Sequence, residues 1–230
     1  MATNLKRIGK ELLNFSKAEH TTIFLHAVND NLMDLRALII GPQDSPYEGG
    51  FLYFSIIPDN YPNNPPKVKF ITPNTEACRI HPNLYAAGKV CLSILGTWGK
   101  WEWSPLLNFE KILITIQGIL NDNPIINEPG FETLTLEEDL SAKGYEINSR
   151  WLVLSTVLYM LERDDVPGPF KEIMTKYFVQ NFDSVYVKSL KLLEQYDGQN
   201  FPTLHHRGMI IKFSQLFQKF EEKYKSLKNN

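Results

Sequence analysis

Three residues that can carry out acyl-transfer chemistry lie close together in one short segment. His81-Pro-Asn83 is followed eight residues later by Cys91. A cysteine thiolate is a nucleophile and its thioester is a good acyl donor, while an asparagine amide can donate to a developing oxyanion or brace the loop that holds one. Neither role needs His81 as a base, and Pro82 indicates a rigid turn. The segment predicts cysteine-dependent acyl transfer, although a single cysteine is also often a small buried core residue.

Two other kinds of chemistry have less support. A cysteine–histidine hydrolase needs a base that another residue orients, and His81 with Cys91 does not make that set. The pair His205-His206 has no Cys, Asp or Glu at ligand spacing, so we expect a solvated loop there and no metal site. The chain also has no glycine-rich phosphate-binding loop, and no cofactor is expected.

The composition is that of a soluble globular chain. Of 230 residues 43% are apolar, and 24 basic residues stand against 26 acidic ones, which argues against disorder and against nucleic-acid binding. The most apolar stretches, 112–120 and 151–161, are shorter than the roughly 18 residues of a membrane span. Lysines near the start argue against a secretory signal. Two cysteines, Cys78 and Cys91, favour a reducing compartment, the cytoplasm or the nucleus, and leave a disulfide between them open.

The elements that must hold the segment in place follow from the spacing of apolar residues. Leu5, Ile8, Leu12 and Phe15 recur every three or four residues and predict a short amphipathic helix with a basic outer face. Segments rich in β-branched and aromatic residues then predict an antiparallel meander of four strands. These strands are expected at Thr22–Val28, Met33–Ile40, Phe51–Ile57 and Val68–Ile71.

Helical periodicity replaces the strand pattern from residue 108 onward. Asn108 is expected to cap a helix that continues to about Asp122, and the capping box Thr135-Leu-Glu-Glu138 predicts the start of another. Further helical stretches are predicted at 147–161, around 170–178, around 186–193 and at 213–227. Strands first and helices after them predict an α+β fold.

Five motifs, in this order and spacing, resemble the ubiquitin-conjugating enzyme family. They are Leu5-Lys-Arg-Ile-Gly-Lys-Glu-Leu12, Gly41-Pro-Gln-Asp-Ser-Pro-Tyr-Glu-Gly-Gly50, Tyr61-Pro-Asn-Asn-Pro-Pro66, His81-Pro-Asn83, and Gly88-Lys-Val-Cys-Leu-Ser-Ile-Leu95 with Trp103-Ser-Pro105. The resemblance covers about residues 1–162 and implies a conjugating core with an N-terminal helix, a four-stranded antiparallel meander and C-terminal helices. Residues 163–230 are then expected to be a helical extension packed on that core.

The resemblance also implies a function. Cys91 would accept ubiquitin or a ubiquitin-like modifier as a thioester from an activating enzyme and pass it to a lysine of a protein substrate or to a ubiquitin ligase. Asn83 would stabilise the oxyanion, and His81 and Pro82 would support the active-site turn, with His81 as a brace. The alternative is a non-catalytic, ubiquitin-binding or carrier variant of the same fold.

Two surfaces are implied for partners. Lys6, Arg7 and Lys10 on the first helix would bind the activating enzyme; without the resemblance they would be a solvated helix face. The loops that face the ligase would include Asn63, Trp103 and Pro105. Asn63 stands where common members place an aromatic residue, which leaves the choice of ligase open.

Departures from the common pattern resemble the large, Z-type members of the family. Eleven residues separate Cys91 from Trp103, and the loop from Gly96 to Trp103 holds three of the four tryptophans, which either contact a partner or pack on the core. The usual acidic residue after Asn123-Pro is missing. Glu128 or Asn127 is expected to take its place in helping to deprotonate the attacking lysine, the alternative being that Glu128 is a surface charge. The helical extension is the third such feature.

Overall fold

A four-stranded antiparallel sheet lies at the centre of the computed structural model, which describes residues 2–72, 79–99, 103–201 and 210–228. The strands pair in chain order, so the predicted meander is confirmed. Only the strand Phe51–Ile57 has the predicted bounds; the ends of the other three differ by one or two residues. The strands are β1 (Ile23–Ala27), β2 (Leu35–Ile40), β3 (Phe51–Ile57) and β4 (Lys67–Phe70). Cys78, Trp101, His205 and His206 lie outside the described residues.

One face of the sheet packs against the first two helices. These are α1 (Ala2–Lys17), which confirms the predicted N-terminal helix, and α2 (Phe109–Ile119). Because side chains alternate along a strand, Leu35, Ala37 and Ile39 of β2 all point to this face and are fully buried there.

The opposite face of the sheet is also apolar and is covered by the later helices. Leu38 of β2 and Tyr53 of β3 belong to a second buried cluster, and the ring of Tyr53 lies 6.3 Å from that of Phe170. Burial on both faces explains why the strands lack a clean apolar–polar alternation. The helices are α3 (Leu140–Glu162), α4 (Gly168–Gln180), α5 (Lys188–Glu194), preceded by a π-helical turn (Phe182–Val187), and α6 (Phe213–Lys228).

The capping-box prediction is wrong about where a helix begins. Thr135 Oγ1 accepts from the Glu138 N–H at 3.3 Å, but Asp139, not Glu138, accepts from the Thr135 N–H at 3.0 Å. These bonds close an isolated turn, and one 23-residue helix then starts at Leu140 and includes the stretch predicted at 147–161.

The start of α2 is as predicted and its end is three residues earlier. Asn108 caps the helix by accepting from the Lys111 N–H at 2.8 Å. At Leu120 the backbone leaves the helical region (φ −80°, ψ 59°). The carbonyl of Ile119 accepts a bond from His81 instead of continuing the helix to Asp122.

Hydrogen bonds join the residues after 162 to the sheet and its loops. Arg163 donates to the Ile71 carbonyl at 2.6 Å, and the Tyr186 hydroxyl donates to the Gly49 carbonyl at 2.9 Å. The division into 1–162 and 163–230 stays a prediction. No helix among the described residues is both long and apolar enough to cross a lipid bilayer.

Candidate active site

A neutral, fully buried histidine fixes the turn that precedes the cysteine. The Asn83 N–H donates to Nδ1 of His81 at 3.0 Å, which leaves the ring proton on Nε2, 2.8 Å from the Ile119 carbonyl. Burial lowers the pKa of His81 to about 3. The ring therefore ties the turn to the end of α2, as a brace would, while Pro82 is buried beside it. The role of His81 in the reaction stays a prediction.

Asn83 and Cys91 are joined by two hydrogen bonds. The Cys91 N–H donates to the Asn83 carbonyl at 2.9 Å, and Nδ2 of Asn83 donates to the Cys91 carbonyl at 2.8 Å. Oδ1 of Asn83 is buried with no partner among the described residues. One of the two amide hydrogens is thus used to hold the amide beside the backbone of Cys91.

The thiol of Cys91 is free, which removes the disulfide that the sequence left open, and the residue is 1% exposed. Its Sγ donates weakly to the Thr97 carbonyl at 3.6 Å. The Thr97 hydroxyl donates to the Val90 carbonyl at 2.7 Å and accepts from the Leu92 N–H at 2.9 Å. The start of the long loop is thus held against the segment that contains the thiol.

Tyr85 lies close enough to Cys91 to interact with it electrostatically, and it was missed in the sequence. The pKa of Tyr85 is raised, first by a hydrogen bond with Cys91 and then by burial. The Arg79 guanidinium lies 3.6 Å from the centre of its ring, a cation–π contact. An aromatic residue two positions after Asn83, inside the same turn, was the available signal.

The turn that carries Tyr85 is attached to strand β4. The Gly88 N–H donates to the Tyr85 carbonyl at 2.8 Å, and the Phe70 N–H donates to the Gly88 carbonyl at 2.8 Å. Gly88 has φ +89°, and a Cβ there would lie 2.8 Å from the Phe70 carbonyl oxygen, so glycine is required. Lys69 and Lys89 form an antiparallel bridge at the same place.

Glu128 lies near this site, whereas Asn127 is occupied elsewhere. The charge of the half-buried Glu128 contributes to the raised pKa of Tyr85. Asn127 Nδ2 donates to the Pro124 carbonyl at 3.1 Å and so holds its own turn. Of the two side chains expected to assist the lysine, Glu128 has the better position.

The basic face of α1 is divided in the structure. Lys6 and Lys10 are exposed. Arg7 is half-buried, pairs with Glu11 and donates to the carbonyl of Leu107 at 3.3 Å. Lys6 and Lys10 are thus presented to solvent, while Arg7 also connects α1 to the loop before α2.

Glu11 is the buried centre of this connection and was not singled out in the sequence. Both of its carboxylate oxygens lie 2.7 Å from the Tyr61 hydroxyl, and Oε2 accepts from the Phe109 N–H at 3.1 Å. The four-residue spacing from Arg7 was the signal that could have found it. We call Arg7, Glu11 and Tyr61 the Glu11 network.

The loops expected to face a ligase differ in exposure. Asn63 and Pro105 are exposed, and Leu106, which the sequence analysis passed over, is 85% exposed. Trp103 instead donates from Nε1 to the Pro62 carbonyl at 2.7 Å. Trp103 therefore packs against the protein, the second of the two roles considered for the loop tryptophans, and so positions its loop.

The fold is an antiparallel meander between helices, and it brings the free thiol of Cys91 and the amide of Asn83 together, the residue types that a cysteine acyltransferase needs. A family model described as ubiquitin-conjugating enzyme matches residues 7–139, more than half of the chain. The chain belongs to the ubiquitin-conjugating enzyme family.

Three relatives illustrate how similar the chain is to known members. It is 34% identical over 230 residues to ubiquitin-conjugating enzyme E2 Z of Xenopus tropicalis. That alignment covers 95% of this chain and 72% of that protein. It is 36% identical over 180 residues to the Homo sapiens E2 Z, covering 78% of this chain and 51% of that protein. It is 40% identical over 181 residues to probable ubiquitin-conjugating enzyme E2 25 of Arabidopsis thaliana, and this alignment covers 75% of this chain and 29% of that protein. The chain thus spans about half the length of the human relative.

Proposed function

We propose that this protein accepts ubiquitin, or a ubiquitin-like modifier, as a thioester on Cys91 and transfers it to a substrate lysine or to a ligase. In the first step the Cys91 thiolate attacks the thioester that the activating enzyme presents. In the second, a lysine amine attacks the acyl carbon and Cys91 leaves as thiolate. Cys91 is 1% exposed, so groups that contact it, among them the Thr97 carbonyl, would have to move aside for loading.

The observation that carries the proposal is the pair of hydrogen bonds between Asn83 and Cys91. They hold the Asn83 amide against the backbone of Cys91, the residue that would carry the acyl group. A donor fixed in place before the reaction stabilises a developing oxyanion without reorganising. His81, neutral and buried, supports the position of this donor and is not in a state to act as a base at neutral pH.

The remaining partners are proposed from exposed residues. Lys6 and Lys10 would contact the activating enzyme, with Arg7 behind them. Asn63, Pro105 and Leu106 would face a ligase; an exposed leucine suits an apolar pocket on a partner. Glu128 would assist deprotonation of the attacking lysine. A free thiol nucleophile suits a reducing compartment, so we place the protein in the cytoplasm or nucleus.

A loading assay tests the nucleophile. With activating enzyme, ATP and ubiquitin, the wild type should form an adduct that a thiol reductant removes on a gel. Cys91→Ser should form an oxyester that resists reductant and is cleaved by hydroxylamine, and Cys78→Ser should load normally. Absence of any reductant-sensitive adduct on the wild type would contradict the proposal.

A second assay tests the amide donor. Asn83→Ala should still load ubiquitin but discharge it to free lysine about 100-fold more slowly, the usual effect of losing one oxyanion donor. Discharge at the wild-type rate would show that Asn83 has no oxyanion role.

One observation favours the non-catalytic alternative, namely the 1% exposure of Cys91. A protein that only binds ubiquitin would need no access to Cys91, and one that only carries it would need access for loading but not for a lysine. Normal loading without discharge to lysine, in the presence or absence of a ligase, would support this alternative over the enzyme.

A further inference from the structure

A groove runs between α3 and α6, in the part of the molecule formed by the later helices. Its volume is about 780 Å³, and one face of each helix supplies a wall. The wall from α3 includes Trp151, Tyr159 and Glu162, and the wall from α6 extends from Gln215 to Ser226. At about 1.5 Å per residue each wall is about 16 Å long, which is enough for about five residues of extended chain.

The α3 wall contains a buried hydrogen-bond donor that lacks an acceptor. Trp151 is 6% exposed, and its indole Nε1 has no partner within residues 2–72, 79–99, 103–201 and 210–228. An indole N–H can only donate, and a buried one usually has an acceptor. A carbonyl or carboxylate oxygen of a molecule bound in the groove would supply the missing acceptor.

The unpaired charges along the groove are mainly positive. Lys223 is paired with Glu162 at 3.1 Å. Lys212 and Lys219 are exposed, and in the part of the chain that the structure describes no carboxylate forms an ion pair with either. Of the acidic side chains known to line the groove, Glu162 is thus engaged and Glu222 remains. Two unpaired lysines against one carboxylate favour an anionic occupant.

Apolar side chains lie between these charges and distinguish a peptide from a small anion. Leu158 is half-buried, and Tyr159 is 53% exposed. Proteins recognise peptides with an apolar patch that receives an anchoring side chain and with polar groups around it that fix orientation and charge. Inorganic phosphate would leave the apolar part of this groove unused, whereas an acidic peptide with one apolar side chain would use all of it.

We propose that the groove between α3 and α6 binds a short acidic segment of a partner protein, in which an apolar residue lies between acidic ones. The apolar side chain packs on Leu158 and Tyr159, and the acidic side chains pair with the two unpaired lysines. A main-chain carbonyl accepts from the indole N–H of Trp151. Because this N–H is closed to solvent, binding includes a small displacement of the side chains that cover it.

This docking surface is independent of the thioester chemistry, because no residue of the candidate active site lines the groove. Its test therefore measures binding and not activity, and the result does not depend on whether Cys91 accepts ubiquitin.

Selection from a random peptide library tests the chemistry of the occupant. Phage that display peptides of about seven residues, slightly longer than the groove, are selected on the immobilised full chain. Lys219→Glu is a parallel target, and Lys225→Glu is its matched control, because Lys225 is an exposed lysine of the same helix outside the groove. The wild type and Lys225→Glu should select peptides with acidic residues around an apolar one, and Lys219→Glu should not.

Fluorescence anisotropy with a labelled synthetic copy of the most enriched peptide then measures affinity. Lys219→Glu should weaken binding at least about tenfold, because the reversed charge repels an acidic side chain. Lys225→Glu should bind as the wild type does. Trp151→Phe keeps an aromatic ring but removes the N–H, and it should weaken binding about fivefold, as expected for one lost hydrogen bond.

NMR of the indole N–H groups tests the hydrogen bond in the wild type itself. The signal that is missing in Trp151→Phe identifies this indole, and the peptide should move it downfield. The signal of Trp103 should stay in place, since its N–H already donates to the Pro62 carbonyl. The inference would be overturned by selection of no sequence or of basic sequences, by equal binding to Lys219→Glu and the wild type, or by a Trp151 signal that the peptide does not move.

Discussion

Beside Cys91, a single hydroxyl holds the neighbouring loop in place, and we expect it to restrict access to the thiol. Thr97 holds residues 96–99 against the segment that contains Cys91 through bonds to the Val90 carbonyl and the Leu92 N–H. Thr97→Val keeps the shape and loses both bonds, at a cost of about 1 kcal/mol each. Alkylation of Cys91 by iodoacetamide should accelerate by up to about thirtyfold, the factor that about 2 kcal/mol represents.

The matched control for this prediction is Thr115→Val. The Thr115 hydroxyl donates to a carbonyl of its own helix, far along the chain from the thiol, and is exposed. Alkylation followed by mass spectrometry should show no change in this variant. Equal rates in Thr97→Val and the wild type would mean that Thr97 does not restrict access.

The neutral state of His81 predicts how stability depends on pH. The folded protein lowers its pKa from 6.5 to about 3. Below pH 6.5 the unfolded chain therefore binds a proton that the folded protein does not, and stability falls by up to about 1.4 kcal/mol per pH unit. This loss should begin near pH 6.5 and end near pH 3.

His81→Gln removes the titrating group and should be less stable at pH 7, because bonds to Ile119 and Asn83 are lost. Its free energy of unfolding, measured in urea between pH 7 and pH 5, should nevertheless fall less steeply than that of the wild type. Parallel profiles for the two proteins would refute a depressed pKa at His81.

Among the elements, α1 is fixed to the loops around it by the Glu11 network. Glu11→Ala removes the acceptor of the Phe109 N–H and leaves the Tyr61 hydroxyl with only the Leu107 carbonyl, at 3.3 Å. Because the side chain of Arg7 remains 37% exposed and can be solvated, we expect a loss of about 2 kcal/mol, less than for a fully buried pair. Urea unfolding of Glu11→Ala measures it, with the exposed Glu19→Ala as control. Equal stabilities of the two variants would contradict the expectation.

Features that depend on residues close together in the sequence were predicted better than features that depend on long-range contacts. The strands and the Asn108 cap follow from residues that are neighbours in sequence, and both were predicted. Tyr85 and Glu11 were missed because their importance depends on folding: Glu11 meets the backbone of Phe109, 98 positions away. The start of α3 was misplaced because Asp139 completes the turn at 135–139 in place of Glu138.

The later helices matter at the scale of the whole molecule, because they share a core with the sheet. Phe220 of α6 is fully buried, with its ring 5.7 Å from that of Phe178 and 5.5 Å from that of Tyr186. Phe220→Ala should cost about 3–5 kcal/mol. If 163–230 packs on the core as one unit, fluorescence and circular dichroism should still report a single transition in urea.

The half-buried Phe217, one turn earlier on α6, provides the comparison. Phe217→Ala should lose clearly less free energy than Phe220→Ala, since less apolar area is removed from the interior. Two separate transitions in the wild type would instead show that the residues after 162 unfold independently.

The attachment of the active-site turn to β4 has a consequence for solubility. β4 is the last strand of the sheet, and a free strand edge can recruit a strand from another chain. Here the Phe70 N–H already donates to the Gly88 carbonyl, and Lys67 and Lys69 place positive charges along β4. The turn that holds the nucleophile thus also shields the sheet from intermolecular strand addition. A substitution that loosens this turn would expose the protein to aggregation as well as to loss of activity.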